Sequence, residues 1–334
     1  MDITRRQALV IGGSAAAATL LPTRPGSAMQ SPKPAGAVRP ALTIFSRHLQ
    51  WAGVEEAIEV AAAAGFGGIA WTVREGAHIL PQNVERDLRR AVELTHRAGL
   101  GTPHIVTAIS DAETPHAEAI VAAAAGLGIH TYRFETSRFG SYDFTGDLSA
   151  QLEALRPRMA ELVRLNDRYG SGAVIHTHVG LKAGGVWDTW LLVREFDPER
   201  LGINFDTAYG TAGTGAGWMQ AVHFARRHVR FLSLKDFRWQ QLKPEICVPG
   251  QGVVDFAAAL GYFRDTDFHG PAEVQFEYLV PVAGGKPMNL TNQNVDQWKL
   301  EIPKADFIAL MKRDVDFYTA WLGKTGLSPA SGLV

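Results

Sequence analysis

The chain has 334 residues, 46% of them hydrophobic and 20% charged, the balance of an ordinary globular protein rather than a disordered one. Its 33 basic and 34 acidic residues give a formal net charge of -1, and no long basic run stands out, so a nucleic-acid partner has no electrostatic support. Cys247 is the sole cysteine, which excludes an internal disulfide scaffold.

Arg5-Arg6 precedes an apolar stretch from Ala8 to Leu21, and Pro25-Gly26-Ser27-Ala28 follows with small residues. This order reads as a twin-arginine signal peptide over residues 1–28, giving a periplasmic or otherwise exported protein. The apolar core, at about 14 residues, is short for a span of roughly 20, so no stable membrane span is expected once the signal is cleaved. Cleavage removes Arg5, Arg6, Arg24 and Asp2, leaving 30 basic and 33 acidic groups and a net charge of -3. Residues 29–40, with three prolines and little periodicity, read as a linker.

From there, short apolar runs alternate with helix-like segments. The expected pairs are Ala41–Phe45 with Gly53–Ala64, Gly68–Thr72 with Asn83–Ala98, Gly101–Val106 with Thr114–Ala125, and Thr131–Glu135 with Leu148–Tyr169. Ala173–His178 follows, with a loop and short helix through Arg194, then Gly202–Asp206 with Gly217–Arg227. Arg230–Asp236 pairs with Val254–Phe263, and Ala272–Tyr278 with a final helix near Lys304–Leu322. Eight such units predict an α/β fold, a (β/α)8 TIM barrel over residues 41–325, with a tail at 326–334. A doubly wound sheet is the rival, but no strand is followed by a Gly-x-Gly-x-x-Gly turn. Val282–Lys299 reads as a lid or interface insertion after the eighth strand.

Four of the strands end in polar or charged residues, at His176-Thr177-His178, Asn204-Phe205-Asp206, Ser233-Leu234-Lys235 and Glu273-Val274-Gln275-Phe276-Glu277. Side chains alternate along a strand, so His176, His178, Asn204, Asp206, Ser233, Lys235, Glu273, Gln275 and Glu277 are expected to face the barrel interior, and Asp236 to turn outward and cap the next turn. Buried charges are costly unless paired or metal-bound, so a cluster at strand ends points to a site. His178, Asp206 and Glu277, joined by His176, would suit a divalent ion: Mn, Zn, Co or Mg. Lys235 has two roles open to it, steadying an enediolate or pairing with Glu277. On loops after the strands, Arg47, His48, Arg74 and His78 are candidates for binding substrate oxygens. Glu135 is a reserve carboxylate, with pairing to Arg133 as its alternative, and Trp239 is a candidate for stacking on a sugar face. His104 reads as core.

Five segments carry a resemblance: Phe45-Ser46-Arg47-His48-Leu49-Gln50-Trp51, Thr72 to Pro81, Lys235-Asp236-Phe237, Val248 to Phe256, and Phe276-Glu277-Tyr278. Together they resemble the sugar phosphate isomerase/epimerase family of xylose isomerase-like TIM barrels, in a twin-arginine exported branch. The resemblance implies a divalent metal held by Glu, Asp, His and Glu on strands five to eight. In this sequence His176 stands at the first of those positions, Asp206 at the second, Ser233 at the third, and Gln275 or Glu277 at the fourth. The implied activity is isomerisation or epimerisation of a sugar or keto-sugar, by metal-assisted removal of a proton next to a carbonyl. Glu277 would be the base, and His176 or His178 would return the proton. The alternatives are a lyase or deglycosidase acting on a 3-keto-glycoside at the same site, and a non-catalytic periplasmic sugar-binding protein on a degenerate barrel. The expected partner is a small-molecule carbohydrate, with a homodimer left open.

Overall fold

The protein was analysed as a computed structural model that describes residues 41–289 and 299–332. The proposed signal and linker, residues 1–40, lie outside the described residues. The short apolar runs form β1 (Leu42–Phe45), β2 (Gly68–Val73), β3 (Ile105–Thr107), β4 (Thr131–Arg133), β5 (Gly172–His176), β6 (Leu201–Asp206) and β7 (Val229–Leu234). A hairpin of β8 (Asp236–Gln240) and β9 (Lys243–Cys247) precedes the last barrel strand, β10 (Ala272–Val274). Every barrel pair is parallel, and β10 closes the ring by lying between β7 and β1. Strands β2 and β6 are buried along their whole length, as expected where one face meets a helix layer and the other a packed interior.

The outer layer is α1 (Val54–Ala64), α2 (Val84–Arg97), α3 (Ala117–Ala125), α4 (Leu148–Glu153), α5 (Arg156–Tyr169), α6 (Val186–Val193), α7 (Thr207–Thr214), α8 (Trp218–Ala225), α9 (Phe256–Asp265) and α10 (Lys304–Thr325). In α2 the buried residues Val84, Leu88, Ala91, Val92 and Thr95 make one apolar stripe. Trp71 of β2 points into that layer and donates its indole N–H to Thr95 Oγ1 at 3.1 Å. No helix among the described residues is long and apolar enough to cross a membrane.

Four barrel strands, β4, β5, β7 and β10, end earlier than expected. His178 lies two residues beyond β5, where its N–H donates to Gly184 O at 2.7 Å. Residues 275–278 leave the ladder after Gln275 N–H meets Leu234 O at 3.3 Å. The polar rim therefore stands on irregular backbone, which is tolerated because side chains and neighbouring loops satisfy it. Two elements are new. The segment after Asp206 is helix α7 rather than loop, and the β8–β9 hairpin follows Lys235. Within the expected insertion, β11 (Leu279–Val280) pairs with β12 (Met288–Asn289), and residues 290–298 lie outside the described residues. The tail packs at the opposite end: Ala330 N–H donates to Gly270 O at 3.0 Å.

Candidate active site at the C-terminal mouth of the barrel

Strand β6 ends in Asp206, which is also the N-cap of α7. Its Oδ1 accepts the N–H groups of Ala208 and Tyr209, both at 2.9 Å. Its Oδ2 accepts from His176 Nε2 at 2.9 Å and from Lys235 Nζ at 2.8 Å. Four donors thus use all the lone-pair sites of the carboxylate. Burial alone would raise the Asp206 carboxyl, but the Lys235 ammonium and the His176 bond outweigh it and hold the group well below the usual carboxylate range. Because a carboxylate only accepts, His176 carries its proton on Nε2. Burial pushes its imidazole down to about 4, so the ring is neutral near pH 7.

Lys235 is fully buried and bridges two acids, with Nζ 2.8 Å from both Asp206 Oδ2 and Glu277 Oε2. Burial would lower the lysine, but the two carboxylates, Asp206 first, reverse that and raise it. Thr207 fixes its backbone from both sides: Lys235 N–H donates to Thr207 Oγ1 at 2.9 Å, and that hydroxyl donates to Lys235 O at 2.6 Å. The next residue, Asp236, is buried and accepts N–H groups from Gly250, Gly252, Val254 and Phe237 at 2.9–3.1 Å. A Cβ on Gly252 would lie 2.1 Å from Asp236 Oδ1, so only glycine allows this approach. The Val248–Phe256 motif is therefore a clamp on the end of β7 that sets Lys235.

Glu277 reaches the opening, with its side chain 21% exposed. Its Oε2 accepts from Lys235 and, at 3.5 Å, from Tyr209 O–H, and Oε1 has no hydrogen bond among the described residues. Burial raises the Glu277 carboxyl, but the adjacent Lys235 charge lowers it further, so it stays ionised. The Tyr209 ring packs 4.3 Å from that of His178, and Lys235 Nζ lies 4.4 Å from the Tyr209 ring centre. His178 Nδ1 donates to Val179 O at 2.8 Å, and a carbonyl only accepts, so Nδ1 carries a proton and Nε2 is left for another partner.

A second polar layer lies deeper. Glu273 accepts from His104 Nε2 and Arg133, both at 3.0 Å, and from Gln275. Burial would raise its carboxyl, but the Arg133 guanidinium outweighs this and holds it at about 2. Ser233 exchanges hydrogen bonds with Asn204 and accepts from Gln275 Nε2 at 3.0 Å. The strand-seven position thus belongs to a neutral network.

Above these layers opens a cleft of about 440 Å³, lined by Arg47, Arg74, Glu135, His176, His178 and Glu277 among the expected residues, with Phe45, Arg133, Phe134, Tyr209 and Gln275 beside them. Arg74 meets Glu135 at 3.7 Å, so Glu135 is held by Arg74 rather than by Arg133. Three expected substrate contacts do not line this cleft. His48 is fully buried and its Nε2 accepts from Phe276 N–H at 3.1 Å. His78 packs edge-on to Trp71, and burial pushes it down to about 4. Trp239 is 49% exposed on the β8–β9 hairpin. Lys235 does not line the cleft either, and of its two expected roles the structure supplies the pairing with Glu277. A larger cavity, about 480 Å³, sits at the opposite end, lined by strand starts such as Thr131, Val229 and Arg230, the end that serves stability in such barrels.

The expected metal set does not fit. Asp206 has spent its lone pairs, His176 Nε2 donates rather than accepts, and Lys235 holds a positive charge between Asp206 and Glu277. His176 Nδ1, His178 Nε2 and Glu277 Oε1 are the atoms of this set left over, and the Lys235 charge beside Glu277 opposes a cation there. Among the described residues no group of three or more His, Cys, Asp or Glu is placed to hold a metal ion.

A closed parallel eight-stranded barrel with its ionisable groups gathered at the C-terminal mouth defines a TIM-barrel protein with a rim site. The model of the xylose isomerase-like TIM barrel family matches residues 58–286, and the chain belongs to that family. No curated protein matches the sequence. Similar solved structures include a probable 3-DHS dehydratase from Bacillus anthracis, with 15% identity and a TM-score of 0.59 over 83% of this chain and 98% of that one. A 3-keto-D-glucoside 4-epimerase from E. coli has 14% identity and a TM-score of 0.53, over 71% and 92%. The IolI protein with a bound zinc atom has 14% identity and a TM-score of 0.61, over 84% and 98%. At these identities the likeness is one of fold.

Proposed function

We propose that the protein is an enzyme that removes the acidic proton next to the carbonyl of a sugar or keto-sugar, as an isomerase or epimerase. The observation that carries this reading is Glu277, a carboxylate kept ionised by a buried lysine, with Oε1 uncommitted beside a cleft of small-molecule size. Glu277 takes the proton from carbon, becoming the carboxylic acid, and the carbanion's charge delocalises onto the carbonyl oxygen as an enediolate. The arginines lining the cleft favour that charge. Return of the proton to the opposite face inverts the carbon, and return to the neighbouring carbon moves the carbonyl. His178 lines the same cleft with an imidazole nitrogen free to relay protons. Lys235 acts through Glu277 and Asp206 and is a positioning residue. The resemblance in fold to a sugar epimerase and to a dehydratase is compatible with this class of chemistry.

The export signal would place the reaction on unphosphorylated sugars outside the cytoplasm. Incubating EDTA-treated protein with a panel of sugars and 3-keto-glycosides in D2O tests the reading by NMR. Deuterium is expected at one carbon-bound position of a substrate, at a rate unchanged by added Mn, Zn, Co or Mg. Tight sugar binding without exchange would overturn it in favour of a binding protein, and loss of a substituent would make the enzyme a lyase.

A further inference from the structure

We infer that the substrate is a sugar acid, and that Arg47 together with Arg74 binds its carboxylate. The inference names the substrate class of the proposed reaction, but it stands on different residues from the base.

Arg47 follows β1 in a short helical turn, Ser46–Leu49, and lines the cleft. It is half-buried, yet its guanidinium makes no side-chain hydrogen bond or salt bridge among the described residues. Arg74, after β2, is also under-used. Its Nε is buried without a hydrogen-bond partner among the described residues, its contact with Glu135 is long at 3.7 Å, and its bond to Thr107 O is 3.5 Å. Arg133 differs, since it is committed to Glu273 at 3.0 Å and lies over the Phe45 ring at 4.3 Å. A partly desolvated guanidinium with spare donors is costly unless something accepts from it, and its planar fork matches a carboxylate.

The charges around the cleft divide by side. On the β1 to β4 side Arg133 is paired with Glu273 of β10 and Arg74 meets Glu135, which leaves Arg47 as one unmatched positive charge. The side built from β6, β7 and the segment after β10 carries Lys235 against Asp206 and Glu277, an excess of one negative charge. An anion entering this field seats its charge on Arg47 and leaves its other end toward Glu277, where the carbon acid reacts. The reverse orientation sets two carboxylates against each other. A single carboxylate matches the one-charge excess, whereas a phosphoryl dianion overshoots it.

The test is calorimetry on the folded protein at low salt, with matched pairs: D-glucuronate and D-galacturonate against D-glucose and D-galactose, and D-glucose 6-phosphate as the phosphoryl arm. At least one uronate is expected to bind roughly 10- to 100-fold tighter than its neutral partner, with the preference shrinking as NaCl is added. Arg47→Met is expected to remove most of that preference, weakening the uronate far more than its neutral partner. Equal binding within every pair, tighter binding of the phosphate, or an undiminished preference in Arg47→Met overturns the inference. If that variant does not fold, the wild-type pairs decide alone. Because no turnover is read, failure of the deuterium exchange leaves this result standing, and the converse also holds.

Discussion

Replacing Lys235 with methionine is expected to destabilise the protein by about 3–5 kcal/mol, the usual cost of stripping one partner from a buried ion pair. The lysine is fully buried and touches two acids, so its loss leaves Asp206 and Glu277 facing each other without a cation. Methionine fills the stem's volume, which confines the effect to charge. The double variant Lys235→Met/Glu277→Gln is expected to recover part of the loss, because it removes one of the two orphaned charges. Urea denaturation of the wild type and the two variants measures both numbers. A single variant within about 0.5 kcal/mol of wild type, the range of an ordinary surface change, would mean the bridge does not exist in solution.

Glu277→Gln is expected to reduce solvent exchange into substrate by roughly 10²- to 10⁴-fold, the usual contribution of a positioned general base. The amide keeps an oxygen that Lys235 can donate to and keeps the side chain's volume, so binding and stability should change little. Glu273 cannot take over the role, since it is buried in the deeper layer and already accepts from His104, Arg133 and Gln275. The variant's exchange rate under single-turnover conditions, beside its sugar affinity by calorimetry, separates loss of chemistry from loss of binding. An unaltered rate would remove Glu277 as the base.

The barrel was legible because its signal is periodic. Each buried parallel strand writes itself as a short apolar run, and each covering helix as a stripe such as Leu88, Ala91, Val92 and Thr95. Strand parity also brought Asp206, Lys235 and Glu277 to one interior, where they meet. What parity cannot supply is who pairs with whom. Alternation gives a facing and not a distance, so it leaves Lys235 two roles, and the metal set fails on a matter of occupancy. The N-cap bonds of α7 consume half of Asp206, and they exist only because the chain turns helical at Thr207. Tyr209 was missed for the same reason, since it stands in a stretch rich in small residues that reads as loop. The Asp-Thr-Ala-Tyr order, with a capping aspartate ahead of Thr207, was the available signal. His48, His78 and Trp239 stand near strand ends in sequence, but a loop residue's direction depends on packing that sequence spacing does not encode.

The cation between Asp206 and Glu277 belongs to the chain itself. Elemental analysis of the folded protein, purified without chelator and then dialysed against Mn, Zn, Co and Mg in turn, tests this. The expected result is far less than one metal ion per chain in every case, because Lys235 and the α7 N-terminus already use the oxygens an ion would need. One tightly held divalent ion per chain, lost together with Asp206→Asn or Glu277→Gln, would contradict it.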